Sequence, residues 1–369
     1  MRIARIRHWA TIFTLAVGIS LHSGCFSFFA VSFAQESATQ APPELPAHMQ
    51  PSGSDSDIWR QVREGDRFQS QIQDPNAAVM VQSEGEAWRA VRNGPYTFYS
   101  AIALVAVTAL LALFYLIRGR IRIDEGLSGR TVQRFDDFER FIHWLTATSF
   151  IVLAITGSLM LFGRHFLIDV IGKDAFAAFM AYGKPAHNYL GFAFMLGFIL
   201  MFVRWVWHNL PNHYDLIWLA KGGGFVTRSH PPAKKFNAGQ KVIFWSTVLG
   251  GLSLSLSGIA LMFPFTFALF AGTFELLNSW FGLGLPTDLS PIQEMQYATL
   301  WHGIVGIGLT AIIIAHIYIG TIGMQGAFAA MGSGDVDYNW AKEHHSLWVR
   351  DLEQRKHKAA PQEAAAGDD

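Results

Sequence analysis

Hydrophobic and polar residues fall into long blocks along this chain. Five blocks carry almost no charge: Tyr96–Ile117, Phe141–Phe162, Pro185–Trp207, Val242–Phe263 and Ala298–Met324. Each is about twenty residues or more, enough to cross a hydrocarbon core of about 30 Å as a helix. An earlier apolar run follows Arg2, Arg5 and Arg7 and ends near Ser32-Phe33-Ala34, a small-x-small pattern. That arrangement predicts a signal peptide over residues 1–34, with an uncleaved anchor as the competing reading. The expected fold class is therefore an all-α membrane protein.

The polar blocks give the organisation. Residues 35–95 are rich in Pro, Ser, Gln and Asp and form a polar segment. Within it Trp59, Phe68 and Trp88 sit among charges; they serve either a partner subunit or the membrane interface. The loop Arg118–Arg140 holds six arginines, and His208–Lys241 and the tail from Gly326 are also basic. The loop Gly163–Lys184 has three basic residues, and Pro264–Met295 has none. The positive-inside rule then puts the basic segments and residues 326–369 in the cytoplasm, and residues 35–95 in the periplasm.

Composition narrows the chemistry. Half of the 369 residues are hydrophobic (51%), only 15% are charged, and the net charge is zero. That balance gives no reason to expect a nucleic-acid partner and points to membrane lipid as the surroundings. Cys25 is the single cysteine. It excludes cysteine-ligated iron–sulfur clusters and thioether-linked haem within the mature chain.

Histidines inside the spans are the candidate chemistry, because an ionisable side chain in a membrane helix is costly. The fifth span carries His302 and His316, fourteen residues apart. A helix separates them by about 21 Å and keeps them within roughly 40° of one face. His143 lies one turn into the second span, on the basic side, and His187 opens the third span, on the other side. Two levels with two histidines each suit two bis-histidine b-type haems. Hydrogen-bonded polar pairs or a proton relay are the alternatives. Gly157, Gly191, Gly303 and Gly306 lie near these positions; glycines there admit a flat macrocycle or close helix packing. Arg140, Arg164 and Arg204 at span ends suit haem propionates or interface anchoring. His165, His208, His213, His230, His344 and His345 fall at helix ends or in loops and are expected to be solvated or interfacial.

Several stretches resemble the cytochrome b (gamma) subunit of membrane-bound respiratory formate dehydrogenase. They are FERFIHW, KPAHNYLGF, RWVWHNLP, KKFNAGQKVIFW, LWHGIVG, IIIAHIYIG and WAKEHHSLWVRD, within about residues 130–352. The resemblance implies a four-helix di-haem core over residues 118–325, with residues 96–117 as an extra transmembrane helix in the bacterial inner membrane. It implies that His187 and His302 hold the periplasmic haem, and His143 and His316 the cytoplasmic one. It further implies a catalytic subunit with a molybdenum or tungsten pterin, an iron–sulfur subunit, and electron delivery to menaquinone or ubiquinone. Formate oxidation would then lie on the partner, and this chain would reduce quinone beside Asn237, Gly239 and His316. Independently, Asn237 offers a hydrogen-bond donor or a helix cap, and Gly239 an open backbone. The same histidine spacing also fits the cytochromes b of hydrogenases and thiosulfate reductases, and a haem-free anchor or transporter is the remaining reading.

Overall fold

The structure is a computed structural model that describes residues 60, 63, 68–69, 79–81, 83–225 and 229–365. The expected signal peptide and Trp59 lie outside the described residues. The helices, in chain order, are α1 (Ser83–Val91), α2 (Thr97–Arg118), α3 (Asp137–Ile171), α4 (Lys173–Trp205), α5 (His213–Ala220) and α6 (Ala238–Met262). They continue as α7 (Phe270–Phe281), α8 (Pro291–Tyr318), α9 (Ala329–Gly332), α10 (Tyr338–His344) and α11 (Ser346–Ala365). Five of these stretches are long and apolar enough to cross a membrane, built on α2, α3, α4, α6 and α8. These are the five expected spans.

The chain divides into two compact units, residues 1–98 with 263–300 and residues 99–262 with 301–369. In the first, β1 (Phe68–Gln69) pairs antiparallel with β2 (Val79–Val81). The Pro264–Met295 segment is more ordered than a loop. Glu294, buried there, accepts the N–H groups of Phe270 (2.8 Å) and Ala271 (2.7 Å) at the start of α7. A carboxylate at a helix N-terminus satisfies orphan donors and opposes the helix dipole. Phe270 also stacks on Tyr297, with centroids 5.8 Å apart.

The second unit holds α3, α4, α6 and most of α2 and α8. Asp136 starts α3 with a capping box: Glu139 N–H donates to Asp136 (2.7 Å), and Asp136 N–H donates back to Glu139 (3.1 Å). Helices α3 and α4 pack tightly at Gly197, where a Cβ would lie 2.5 Å from Thr146 Oγ1 and 3.0 Å from its Cα. Only a residue without a side chain permits that contact, as in other membrane helix pairs. Outward faces stay apolar: Leu116 is 80% exposed and Val170 77%. Lipid is the solvent that tolerates such a surface.

The Gly163–Lys184 region differs from the expected loop. Helix α3 runs on to Ile171, Gly172 alone makes the turn at φ 81°, and α4 begins at Lys173. Once formed, a helix gains a hydrogen bond per added residue, so it need not end where the apolar stretch ends. Pro185 lies inside α4 rather than at its start.

The tail is also folded. Strands β3 (Thr131–Gln133) and β4 (Asp335–Asp337) pair antiparallel, with Val132 opposite Val336. Glu343 accepts the N–H groups of Asp124 (3.2 Å) and Glu125 (3.1 Å), and Asp337 accepts those of Ser128 and Gly129. Val336, Trp340, Ala341 and Val349 are buried with Ile142 and Phe135 in one core. His345 is not solvated as expected but fully buried, its ring bonded to Lys234 O at 2.8 Å, and His344 is largely buried beside it. The docking of this apolar tail carries both histidines inside.

Candidate functional site

The four span histidines meet in two pairs within the second unit. His143 on α3 faces His316 on α8, with ring centroids 6.3 Å apart and planes at 60°. His187 on α4 faces His302 on α8, with centroids 6.2 Å apart and planes at 65°. Two imidazoles on one metal, each at about 2 Å with its ring centre about 1.1 Å further back, put the centroids roughly 6.3 Å apart. Both pairs fit that spacing. Among the described residues no group of three or more His, Cys, Asp or Glu side chains could hold a metal. Two axial imidazoles with the other four positions left to a macrocycle is the donor set of a six-coordinate haem iron.

Neighbouring residues prepare the second pair. Thr156 Oγ1 donates to Val152 O (2.7 Å) and lies 2.8 Å from His187 Nδ1. Ser257 Oγ donates to Ser253 O (2.8 Å) and lies 2.9 Å from His302 Nδ1. A hydroxyl that spends its proton on a carbonyl must accept from the imidazole. The Nδ1 of each ring therefore carries the proton, and Nε2 keeps the lone pair that binds a metal. The next residue is glycine in both cases. A Cβ on Gly157 would lie 3.3 Å from His187 Cε1, and one on Gly258 3.4 Å from His302 Cε1. Helices α3 and α6 thus present the same hydroxyl–glycine step to the two rings.

Gly157 therefore admits an imidazole of the other level. Its place fourteen residues beyond His143 matches the fourteen between His302 and His316, so α3 and α8 carry the same two levels. Gly306 meets only Leu254 at 3.8 Å, and Gly191 has nothing within 4 Å. Thr156, Ser257 and Gly258 were not singled out in the sequence, although the repeated Thr-Gly and Ser-Gly steps were there to find. The first pair has no such hydroxyl: His143 Nδ1 is buried without a partner among the described residues.

All three span-end arginines have protein partners, Arg164 through His165 Nε2 at 3.3 Å. Arg140 binds Asp137 at 2.9 Å and the carbonyls of Met331 and Gly332. Arg204 binds Asp136 at 2.7 Å. Behind them, buried Glu139 gathers Lys235 and the Trp205 indole N–H, each at 2.8 Å. These contacts fasten the ends of α3 and α4 together.

Asn237 caps α6. Its Oδ1 accepts Gln240 N–H at 2.9 Å, while Gln240 Oε1 accepts Asn237 N–H at 3.1 Å. The amide nitrogen makes no hydrogen bond among the described residues and remains available as a donor. Gly239 is backed by Trp218, whose Cη2 would lie 2.8 Å from a Cβ there. Among the described residues, no hydrogen bond or ring contact joins either one to His316.

Comparison with known proteins places the chain among membrane cytochromes b. The chain is similar to the formate dehydrogenase cytochrome b556(fdo) subunit of Escherichia coli (strain K12), 28% identical over 232 residues, covering 62% of this chain and 97% of that protein. The nitrate-inducible formate dehydrogenase cytochrome b556(Fdn) subunit of the same strain is 28% identical over 238 residues, covering 63% and 97%. The formate dehydrogenase cytochrome b556 subunit of Haemophilus influenzae (strain ATCC 51907 / DSM 11121 / KW20 / Rd) is 25% identical over 217 residues, covering 58% and 79%. The profile of a family described as prokaryotic cytochrome b561 matches residues 134–334, more than half of the chain. That match contains all four paired histidines and leaves α2 outside. With its five apolar helices the chain is an integral membrane protein, and it belongs to the prokaryotic cytochrome b561 family.

Proposed function

We propose that this chain is the two-haem cytochrome b subunit of a membrane-bound formate dehydrogenase in the bacterial inner membrane. The observation that carries the proposal is the pairing of histidines at two levels of α8, in a chain that covers 97% of the length of two relatives named for formate dehydrogenase. His143 and His316 hold one haem b, and His187 and His302 the other. Haem, when bound, supplies reversible one-electron chemistry at iron.

The chain's own residues decide where that chemistry is held. Helix α8 keeps the two levels about 21 Å apart through its fourteen-residue spacing. Phe150, Phe194, Phe198 and Leu309 pack into an apolar cluster in this unit and exclude water. Thr156 and Ser257 fix the tautomer of two ligands. The basic segments are cytoplasmic by the positive-inside rule, so His187 and His302 lie on the periplasmic side. There an iron–sulfur subunit and a catalytic subunit with a molybdenum or tungsten pterin dock and deliver electrons from formate. At the cytoplasmic end, the Asn237 amide, the Gly239 backbone and His316 bind menaquinone or ubiquinone, which takes protons from that side.

The test is a haem assay on the complex purified from membranes. Two haem b per chain, extractable by acid acetone and reduced by formate, are expected. Absence of haem, or haem reduced by dithionite but never by formate, overturns the proposal.

A further inference from the structure

Outside the paired histidines, the largest set of unsatisfied polar groups in the second unit lies under the docked tail. Arg134 Nε and Nη1, Trp340 Nε1, His344 Nε2 and His345 Nε2 are all buried without partners among the described residues. They are neighbours: the Trp340 ring lies 5.2 Å from His344 and 5.5 Å from His345, and the Arg134 guanidinium sits 5.3 Å from the Trp340 ring. Each buried polar group left unpaired costs about 1–3 kcal/mol. Several such groups together offer the two to four polar partners that an internal water needs.

This cluster opens on a cavity that also reaches solvent. His344 lines the cavity together with His230, Asp124, Arg118, Trp218 and Asn237. At its mouth, His230 Nε2 lies 2.9 Å from Asp124 Oδ2, and these side chains are 36% and 51% exposed. Inward, the His230 and His344 rings are 6.1 Å apart at 74°, within reach of one bridging water. Glu343 holds the entrance in place through the backbone of Asp124 and Glu125. Titratable groups thus line the cavity from its exposed mouth inward, and Asn237, whose amide nitrogen has no partner among the described residues, lines it as well.

We propose that Asp124, His230 and His344 form a proton entry path to the quinone-reducing end of the chain; the proposal rests on the quinone assignment made above. Conversion of a quinone to a quinol requires two electrons and two protons, and each C=O becomes C–OH. The electrons come from formate by way of the partner subunits. Each proton passes from bulk water to the Asp124 carboxylate, to His230, through water to His344, and on to a quinone oxygen. Each imidazole gains a proton at one nitrogen and loses one from the other. Burial and the charge around His344 keep it unprotonated at rest. Burial first, then His230 and Arg134, pull its pKa down to about 4, while Asp124 opposes them. His345 on the inner side is also held neutral, chiefly by burial. Arg134 is pulled by burial to about 9 against Glu139, and Arg122 also lines the cavity. A proton on His344 is therefore passed on rather than stored.

The experiment uses membranes that contain the whole complex. His344→Gln, His230→Gln and Asn237→Leu are compared with the unaltered chain at equal haem content. Reoxidation of formate-reduced haem by a short-chain quinone analogue is followed in H2O and D2O. Binding of a fluorescent quinone-site inhibitor is measured in parallel. His344→Gln should slow reoxidation roughly tenfold or more, raise the isotope effect, leave inhibitor binding unchanged, and respond to added imidazole. His230→Gln, at the mouth, should show a smaller version of the same pattern, and it carries the test alone if His344→Gln loses haem. Normal reoxidation in both variants overturns the path. So does slowing that comes with lost inhibitor binding and no imidazole rescue, because that marks a structural role. If Asn237→Leu keeps normal inhibitor binding and reoxidation, the quinone assignment itself fails, separately from the path.

Discussion

His187 Nδ1 lies 2.8 Å from Thr156 Oγ1, a hydroxyl already committed as donor to Val152 O. One side chain therefore sets the protonation of a ring on another helix. Ser257 does the same for His302. Thr156→Val keeps the shape and removes the acceptor, and Ser257→Ala does so at the other ring. Each is expected to weaken haem retention at that level by about tenfold and to shift its midpoint potential, without change at the other level. Redox titration that resolves the two haem signals checks this. Unchanged potentials in both variants would remove the hydroxyls from any role in ligand tuning.

Replacement of the four paired histidines, the proposed ligands, should divide by level. His187→Ala or His302→Ala is expected to delete one low-spin haem, and His143→Ala or His316→Ala the other. The number remaining in each variant should be one per chain, by pyridine haemochrome assay and electron paramagnetic resonance. Four variants that all retain two low-spin haems would show that other residues ligate the iron.

Asn237 has two separable duties. Its Oδ1 caps α6, a contact worth about 1 kcal/mol. Its amide nitrogen is the proposed quinone donor. Asn237→Ser keeps a cap and loses the amide, so thermal stability should hold while haem reoxidation by quinone slows about fivefold or more. Asn237→Leu should lose both. Gly239→Leu drives a side chain into Trp218 and should lower stability as well as slow reoxidation. Equal reoxidation rates in the unaltered and Ser forms would assign Asn237 to the cap alone.

Docking of the tail should weaken in acid. His344 titrates at about 4 in the folded chain, against the ordinary 6.5, because burial disfavours its charge. Between those values the unfolded segment binds the extra proton and the folded one does not. The contribution is therefore intact above about pH 6.5 and is lost as the pH falls towards 4, by roughly 3 kcal/mol in full. Buried His345 shifts in the same direction. Amide exchange in α10 and β4, corrected for its intrinsic pH dependence, should rise between about pH 7.5 and pH 5. His344→Gln should flatten that rise.

The spans were legible because an uncharged stretch of twenty residues has few alternatives to a transmembrane helix. The histidine pairs were legible for a related reason: helical spacing fixes depth, and depth matches partners. What could not be read was tertiary. Gly163–Lys184 looked like a loop because charges mark membrane edges, but charges do not end helices. His344 and His345 looked solvated because nothing local says that Trp340 and Val349 will pull them under a lid. Thr156 and Ser257 looked like ordinary helix residues, since their hydroxyls reach rings that are distant in sequence.

The clasp between Glu343 and the backbone of Asp124 joins residues 219 positions apart. Ribosomes add about 5–20 residues each second, so Asp124 emerges roughly 10–40 s before its partner exists. Throughout that interval the helices can enter the membrane, but the basic end has no cover. The Glu343 side of the cavity is in place only after residue 343 has been made, so this end of the fold is assembled from segments translated far apart in time.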